Sequence, residues 1–329
     1  VTPQAPSPDA YLRTLLLCLL AGGSLTLLGL PLGWLIGALV ASAYLTLRRA
    51  VAVPALARPA GLVVLGLALG QGFTAPVMRA VADVLPVLLA GGLLALLAGA
   101  AISPLFRRVA GGDARTAFFA CIPGGVVNMA VLAGQAGATV GTVTVAQSIR
   151  MAIVVLAYPA LMAVFATPGG VSAFDADLPA HHAGGLLVLL AGGTLAAMAG
   201  SRVGLANAAM FAPCLLAMGL SAGGVLPSSV PRWLVDAAQV AMGASLGMHL
   251  AREGLGGAPR RLALASLLVG CGLSALLAMA GLCLGWLTGL PVASVVLGLA
   301  PGGMPEMVVT AQALQLAVPL VLGFHLMRM

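Results

Sequence analysis

Two short segments carry the residue types best suited to binding chemistry. Pro123-Gly124-Gly125 and Pro301-Gly302-Gly303 each interrupt a long apolar run. Proline removes a backbone donor and glycine accepts positive φ, so a helix cannot continue through either break cheaply. Within lipid, the freed backbone groups must be buried in protein or line a wet cavity. A helix restarting at Val126 or Met304 would present free N–H groups and a positive dipole end, suited to an anion. The plain alternative is a kink, because proline and glycine are common in membrane helices. Two equivalent breaks favour a site over a kink.

Six further residues follow these breaks in sequence. Arg150 and Arg328 each sit about a dozen residues into an apolar element. An arginine at mid-membrane costs at least about 2.5 kcal/mol to insert and faces an interior partner or a cavity. The structural alternative is an ion pair or a clamp on backbone carbonyls. Gln147 precedes Arg150 by three residues and His325 precedes Arg328 by three, which places each pair on one helix face. Glu306 in PGGMPEM stands where PGGVVNM has Asn128. As the one carboxylate well inside a membrane element, Glu306 could pair with an arginine, exchange protons or coordinate a cation. Gln71 and Gln239 could line a pathway or make interhelical hydrogen bonds.

Other chemistries find little support. The four histidines are His181, His182, His249 and His325, and none falls in an HxxxH, ExxH or HEXXH spacing. No GxSxG, Walker loop or dinucleotide fingerprint is present. The five cysteines lie in apolar segments without CxxC spacing and read as small packing residues. Neither catalysis nor a metal or other cofactor is expected. The formal charge of +7 raises nucleic acid, but no basic stripe with interleaved aromatics appears. Arginines flanking membrane spans explain the charge, and all 15 basic residues are arginine.

The elements that must position these groups follow from composition. Hydrophobic residues make up 61% of the 329 positions and charged ones 7%, too few polar groups to cover a water-soluble globule. Recurring runs that are apolar all round predict an all-α integral membrane protein, since barrel strands would alternate. The chain divides into an N-terminal tail 1–11, a membrane repeat 12–166, an inter-repeat loop 167–181 and a second repeat 182–329. Elements are expected near 12–30, 32–47, 61–78, 84–106, 114–136 and 138–166, then near 182–200, 204–222, 233–251, 262–288, 292–314 and 316–329. The last is half as long as its counterpart, so the native helix is expected to run on.

The halves match residue by residue. Gly66 and Gly70 return as Gly243 and Gly247, 177 positions later. The PGG triplets, Met129 and Met307, Ala133 and Ala311, and Arg150 and Arg328 all recur at 178. Such a pattern is the mark of an internal duplication. Each PGG element is either a re-entrant hairpin or an unwound crossing. A hairpin leaves five crossings per repeat and inverts the second repeat. Arg13, Arg48, Arg49, Arg58, Arg107, Arg108, Arg115, Arg202, Arg252, Arg260 and Arg261 then share one side. Arg79, Arg232 and the acidic loop with Asp175 and Asp177 fall on the other, as the positive-inside rule prefers. Inverted repeats with broken helices are a transporter architecture.

The motifs PLGWLIGAL, RPAGLVVLGLALGQGF, DARTAFFACIPGGVVNMAVLAGQAGA…QSIR and PGGMPEMVVTAQAL…HLMR resemble the bacterial AbrB-type membrane protein family. The resemblance covers nearly the whole chain. It implies a duplicated membrane domain, distinct from the soluble DNA-binding regulator of similar name. It also carries a distant likeness to the cation:proton antiporter and anion transporter superfamily. Members have been labelled both "ammonia monooxygenase" and "regulator"; the first would want metal ligands and the second a soluble DNA-binding element.

The expected function is secondary transport of a small anionic or zwitterionic solute across a bacterial inner membrane. Pro123, Gly124, Gly125, Asn128, Arg150, Pro301, Gly302, Gly303, Glu306 and Arg328 would form the solute site. Glu306, Asn128, Gln147 and His325 would handle a coupling proton or cation. The partners expected are the solute and the lipid bilayer, with no nucleic acid and with a homodimer as the assembly to test. A membrane-bound ligand sensor that regulates gene expression is the first alternative, and a membrane oxygenase the second.

Overall fold

A computed structural model of the chain describes residues 8–48, 51–165, 178–205, 207–253 and 259–328. Most of the tail 1–11 and of the loop 167–181, with Arg49, Asp175 and Asp177, lies outside the described residues. Among the described residues the fold is all-helical. In the first half run α1 (Pro8–Leu27), α2 (Gly33–Leu47), α3 (Ala57–Gly70), α4 (Ala75–Asp83), α5 (Leu85–Ala110), α6 (Ala114–Cys121), α7 (Val126–Gln135) and α8 (Val140–Phe165). The second half has α9 (Ala183–Arg202), α10 (Ala208–Ala222), α11 (Arg232–Glu253), α12 (Arg260–Thr288), α13 (Val292–Leu299), α14 (Met304–Ala313) and α15 (Val318–Met327). Five of these are long and apolar enough to cross a membrane, or six if the bent pair α3 and α4 is one span.

The single element expected at 61–78 is two helices. Gly72 N–H bonds to Leu69 O and Phe73 N–H to Gly70 O, a tight turn that ends α3. Gln71 is fixed there from both sides: Val230 N–H donates to its Oε1 at 2.9 Å, and the Ser221 hydroxyl donates to its carbonyl at 2.7 Å. Pro76, which lacks an N–H, then opens α4. Gln71 therefore makes the bland contact, tying α3 to its neighbours. Gln239 Nε2 reaches Asp236 Oδ1, 3.5 Å away on its own helix.

The helices form two compact units, and each draws on both sequence halves. The first unit contains α1–α3 and α9–α11. Its helices approach backbone to backbone through the paired glycines. A Cβ on Gly66 or Gly70 would collide with the carbonyls of Met210 and Cys214 on α10. A Cβ on Gly243 or Gly247 would collide with those of Leu35 and Leu39 on α2. Small residues at such crossings allow the tight van der Waals packing that joins helices in lipid. The contacts are reciprocal: a glycine pair of the first half meets the second half, and its counterpart meets the first.

The second unit carries the PGG breaks. Its long helices α5 and α12 pack on each other, α12 also contacts α8 and α13, and α5 also contacts α6 and α15. Each broken element doubles back. The Thr139 N–H, beyond α7, donates to Thr116 Oγ1 in the first turn of α6 at 2.9 Å. The Ala317 N–H, beyond α14, donates to Ser294 Oγ in the first turn of α13 at 3.1 Å. These two latches are 178 residues apart. Each PGG element is thus a helical hairpin with its triplet at the tip. Asp113 caps the first: its Oδ2 accepts from Thr116 N–H at 3.2 Å, and these bonds hold the carboxyl below the usual carboxylate range.

Ser294 is fully buried. Ser294→Ala leaves the Ala317 N–H without its acceptor, so a loss of about 1–2 kcal/mol is expected. The fall in melting temperature of the purified protein measures it. Thr116→Ser keeps the hydroxyl and should melt within a degree or so of the parent.

Candidate functional site: the paired hairpin tips

Helix ends leave carbonyls without intrahelical donors. The proline and glycines at each tip prevent those of α6 and α13 from being recovered by further helix. The sequence supplies donors on the next helix instead. Arg150 on α8 donates from Nη1 to Ile122 O at 3.0 Å and from Nη2 to Gly124 O at 3.1 Å. Arg328, which ends α15, donates from Nη1 to Ala300 O at 2.6 Å and from Nη2 to Gly302 O at 2.7 Å. Donors and acceptors alike are 178 positions apart. Of the readings open for these arginines, the geometry is that of the carbonyl clamp. The planar fork of the guanidinium, which can hold two acceptors at once, suits it to this task.

The residue one turn earlier adds to each clamp. Gln147, fully buried, donates from Nε2 to Phe119 O at 2.7 Å and Ile122 O at 3.0 Å, with Ala120 O at 3.4 Å. His325, also fully buried, places Nδ1 3.2 Å from Val321 O and faces the Gly298 carbonyl, the counterpart of Ala120. Gln147 and His325, two of the four residues expected to handle a coupling ion, therefore touch backbone at the hairpins.

The two tips meet a common helix. Ideal Cβ atoms on Gly302 and Gly303 would lie 2.8 Å from Val154 and 3.3 Å from Met151, which follow Arg150 on α8. Arg150 and Arg328 are close enough for their charges to act on each other, and Arg328 also acts on Tyr158. The Tyr158 hydroxyl donates to Ser274 O on α12 at 3.0 Å. Each arginine's backbone is also approached by a glycine of the other half, Gly270 on α12 for Arg150 and Gly92 on α5 for Arg328.

The helices restart where the chain predicts. α7 begins at Val126 with Gly125 as its cap, and α14 at Met304 with Gly303 as its cap. The first intrahelical bonds run from Met129 N–H to Gly125 O and from Met307 N–H to Gly303 O. The N–H groups before them point out of the helix ends. Here the tips differ. Pro301, Gly302 and Glu306 are buried, and Glu306 folds back so that its Oε2 lies against Gly303. Pro123 is buried, but Gly124, Gly125 and Asn128 are half-exposed, and the Asn128 amide stays clear of Gly125.

Thr116, Ser294 and Tyr158 were not among the expected site residues. Most membrane Thr and Ser residues here do satisfy a carbonyl on their own helix, as Thr14 and Ser266 do. The 178-residue spacing of Thr116 and Ser294 is the signal that sets them apart. A shallow open depression of about 630 Å³, lined by Arg115, Phe118, Phe119, Gln135 and others, lies at the latch end of the first hairpin. It is away from the tip chemistry.

Paired, clamped hairpins within a bundle of apolar spans define a multi-pass helical membrane protein. Residues 4–329 match the family described as "Transition state regulatory protein AbrB". The chain belongs to this AbrB family, over nearly its whole length. It is also similar to "Uncharacterized protein YhjN" of Bacillus subtilis (strain 168), with 26% identity over 350 residues, covering 94% of this chain and 86% of that protein.

Proposed function

We propose that the chain is a secondary transporter in a bacterial inner membrane, moving a small anionic or zwitterionic solute by alternating access. One observation carries the reading: two hairpin tips, each ending in a helix N-terminus and each held by a guanidinium, converge on one stretch of α8. Helix starts of this kind favour negative charge, and broken elements at mid-membrane are where transporters bind their solutes. Hydrogen bonds repeated at 178 residues and reciprocal glycine contacts support two inverted repeats related by a two-fold axis. With each PGG element as a re-entrant hairpin, and with helices shorter than the five or six candidate spans also crossing, each repeat would have five crossings, an odd number that inverts the second. The reading needs no cofactor, no catalytic group and no nucleic acid.

In this reading Glu306, assisted by His325, carries the coupling proton or cation, with Asn128 and Gln147 as its neutral counterparts. Counterflow in proteoliposomes tests transport directly. Protein preloaded with one organic acid or amino acid should accumulate the labelled solute transiently, whereas a ligand sensor would bind without exchange. Glu306→Gln should flatten the pH dependence of that uptake. PH dependence identical to the parent's would take Glu306 out of the coupling.

A further inference from the structure

The two tips have the same backbone but different occupants. At the second tip the carboxylate of Glu306, 2% exposed, lies against Gly303 at the start of α14. The chain places its own anion where the helix N-terminus would attract one. At the first tip the matching residue is Asn128, half-exposed, its Nδ2 3.8 Å from an ideal Cβ on Gly125. That tip has no carboxylate of its own.

The charges point the same way. Apart from Asp113, which caps α6 at the latch end of the first hairpin, Glu306 is the one carboxylate across α5–α8 and α12–α15, while Arg150 and Arg328 place two guanidinium groups at the tips. Two cations face one anion. Arg150 is 3% exposed, and its Nε–H has no hydrogen-bond partner among the described residues. A buried, charged donor left open in this way calls for an acceptor. The Oε1 of Gln147, one turn away, is likewise without a partner.

We propose that the first tip is the seat of a solute carboxylate, and that Glu306 is a built-in surrogate filling the second tip. The solute class is then a molecule with a single carboxylate, received by the N–H groups of Val126 and Val127, the Asn128 amide and the field of Arg150. This rests on the transporter reading for its biological meaning, but the occupancy of the tips can be tested without transport. The unequal pair makes one seat rather than two.

The test exchanges the side chains. Asn128→Glu gives the first tip its own carboxylate, so the ligand-free protein should melt about 2 °C above the parent. Asn128→Gln should melt with the parent. Acetate, pyruvate and glycine should stabilise the parent, and Asn128→Glu should need at least tenfold more of each for the same shift. Glu306→Ala supplies the converse arm: its melting temperature should fall, and added acetate should restore it by more than it raises the parent's. Asn128→Glu melting at or below the parent while Asn128→Gln folds, an unaltered response of Asn128→Glu to the three probes, or no acetate rescue of Glu306→Ala would each overturn the proposal. If the melting shifts appear but proteoliposomes exchange nothing, the transporter reading fails and the seat stands. If counterflow is seen only with solutes lacking a carboxylate, the seat fails and the transporter reading stands.

Discussion

Arg150→Ala is expected to destabilise the protein by about 3 kcal/mol and to abolish solute exchange. The substitution removes two charge-assisted hydrogen bonds, to Ile122 O and Gly124 O, from a site with almost no solvent. Hydrogen bonds to charged groups contribute roughly 1.5–3 kcal/mol each, and a buried carbonyl left without a donor adds its own penalty. The arginine's own desolvation cost, which the mutant no longer bears, offsets part of that sum. Gln147 still reaches Ile122 O, so the first tip keeps one donor. The second tip has no glutamine, and Arg328→Ala should therefore cost at least as much. A fall in apparent melting temperature on the order of 5–10 °C is the readout. Arg150→Lys separates charge from geometry. A lysine ammonium keeps the cation but lacks the planar fork that spans two carbonyls, so partial stability with little exchange is expected. Full uptake by Arg150→Ala in proteoliposomes would remove the arginine from the binding account.

Gly66→Val and Gly243→Val should each lower the yield of monodisperse protein severely and by similar amounts. At both positions a side chain would run into a backbone carbonyl, Met210 O in one case and Leu35 O in the other. Backbone cannot yield as a flexible side chain does, so the helices must part, and overpacking of this kind costs about 1–3 kcal/mol or more. In lipid little else holds the helices together, because the tails are as apolar as the residues they would replace; between α3 and α10 the Ser221–Gln71 hydrogen bond remains. The equal size of the two losses is the sharper part. It follows from the reciprocal contacts and would fail if the resemblance of the two crossings were accidental. Gly219 on α10 is the control, with nothing near the position of its Cβ. Gly219→Ala should be neutral or stabilise by about 0.5 kcal/mol through helix propensity.

Much of this site is legible in the sequence because it is written twice. The PGG triplets locate the tips, and the restarts at Val126 and Met304 follow from the chemistry of proline and glycine alone. The three-residue spacing of Gln147 and Arg150 puts both on one face, and the structure uses that face on a single set of carbonyls. What the sequence could not decide is which group the arginine meets. A carboxylate and a carbonyl are equally good acceptors on paper, and the choice depends on the hairpin folding back on α8. The break at Gln71 was hidden for a related reason. Its cause is a pair of long-range bonds to Ser221 and Val230, which no local pattern reports. The fold-back of Glu306 over Gly303 is local, three residues along one helix, and capping preferences hint at it. Only the exposure of Asn128 at the other tip gives it meaning.

The exchange of glycine contacts between the halves bears on how the protein is made. Gly66 and Gly70 leave the ribosome long before α10, which must cover them, has been synthesised. At translation rates of about 5–20 residues per second, that ridge lacks its partner for roughly 7–30 seconds. Through that interval the crossing begun by the N-terminal half is incomplete. Expressed as two separate fragments, the halves should each be degraded alone and recovered together, each completing the crossing the other leaves bare.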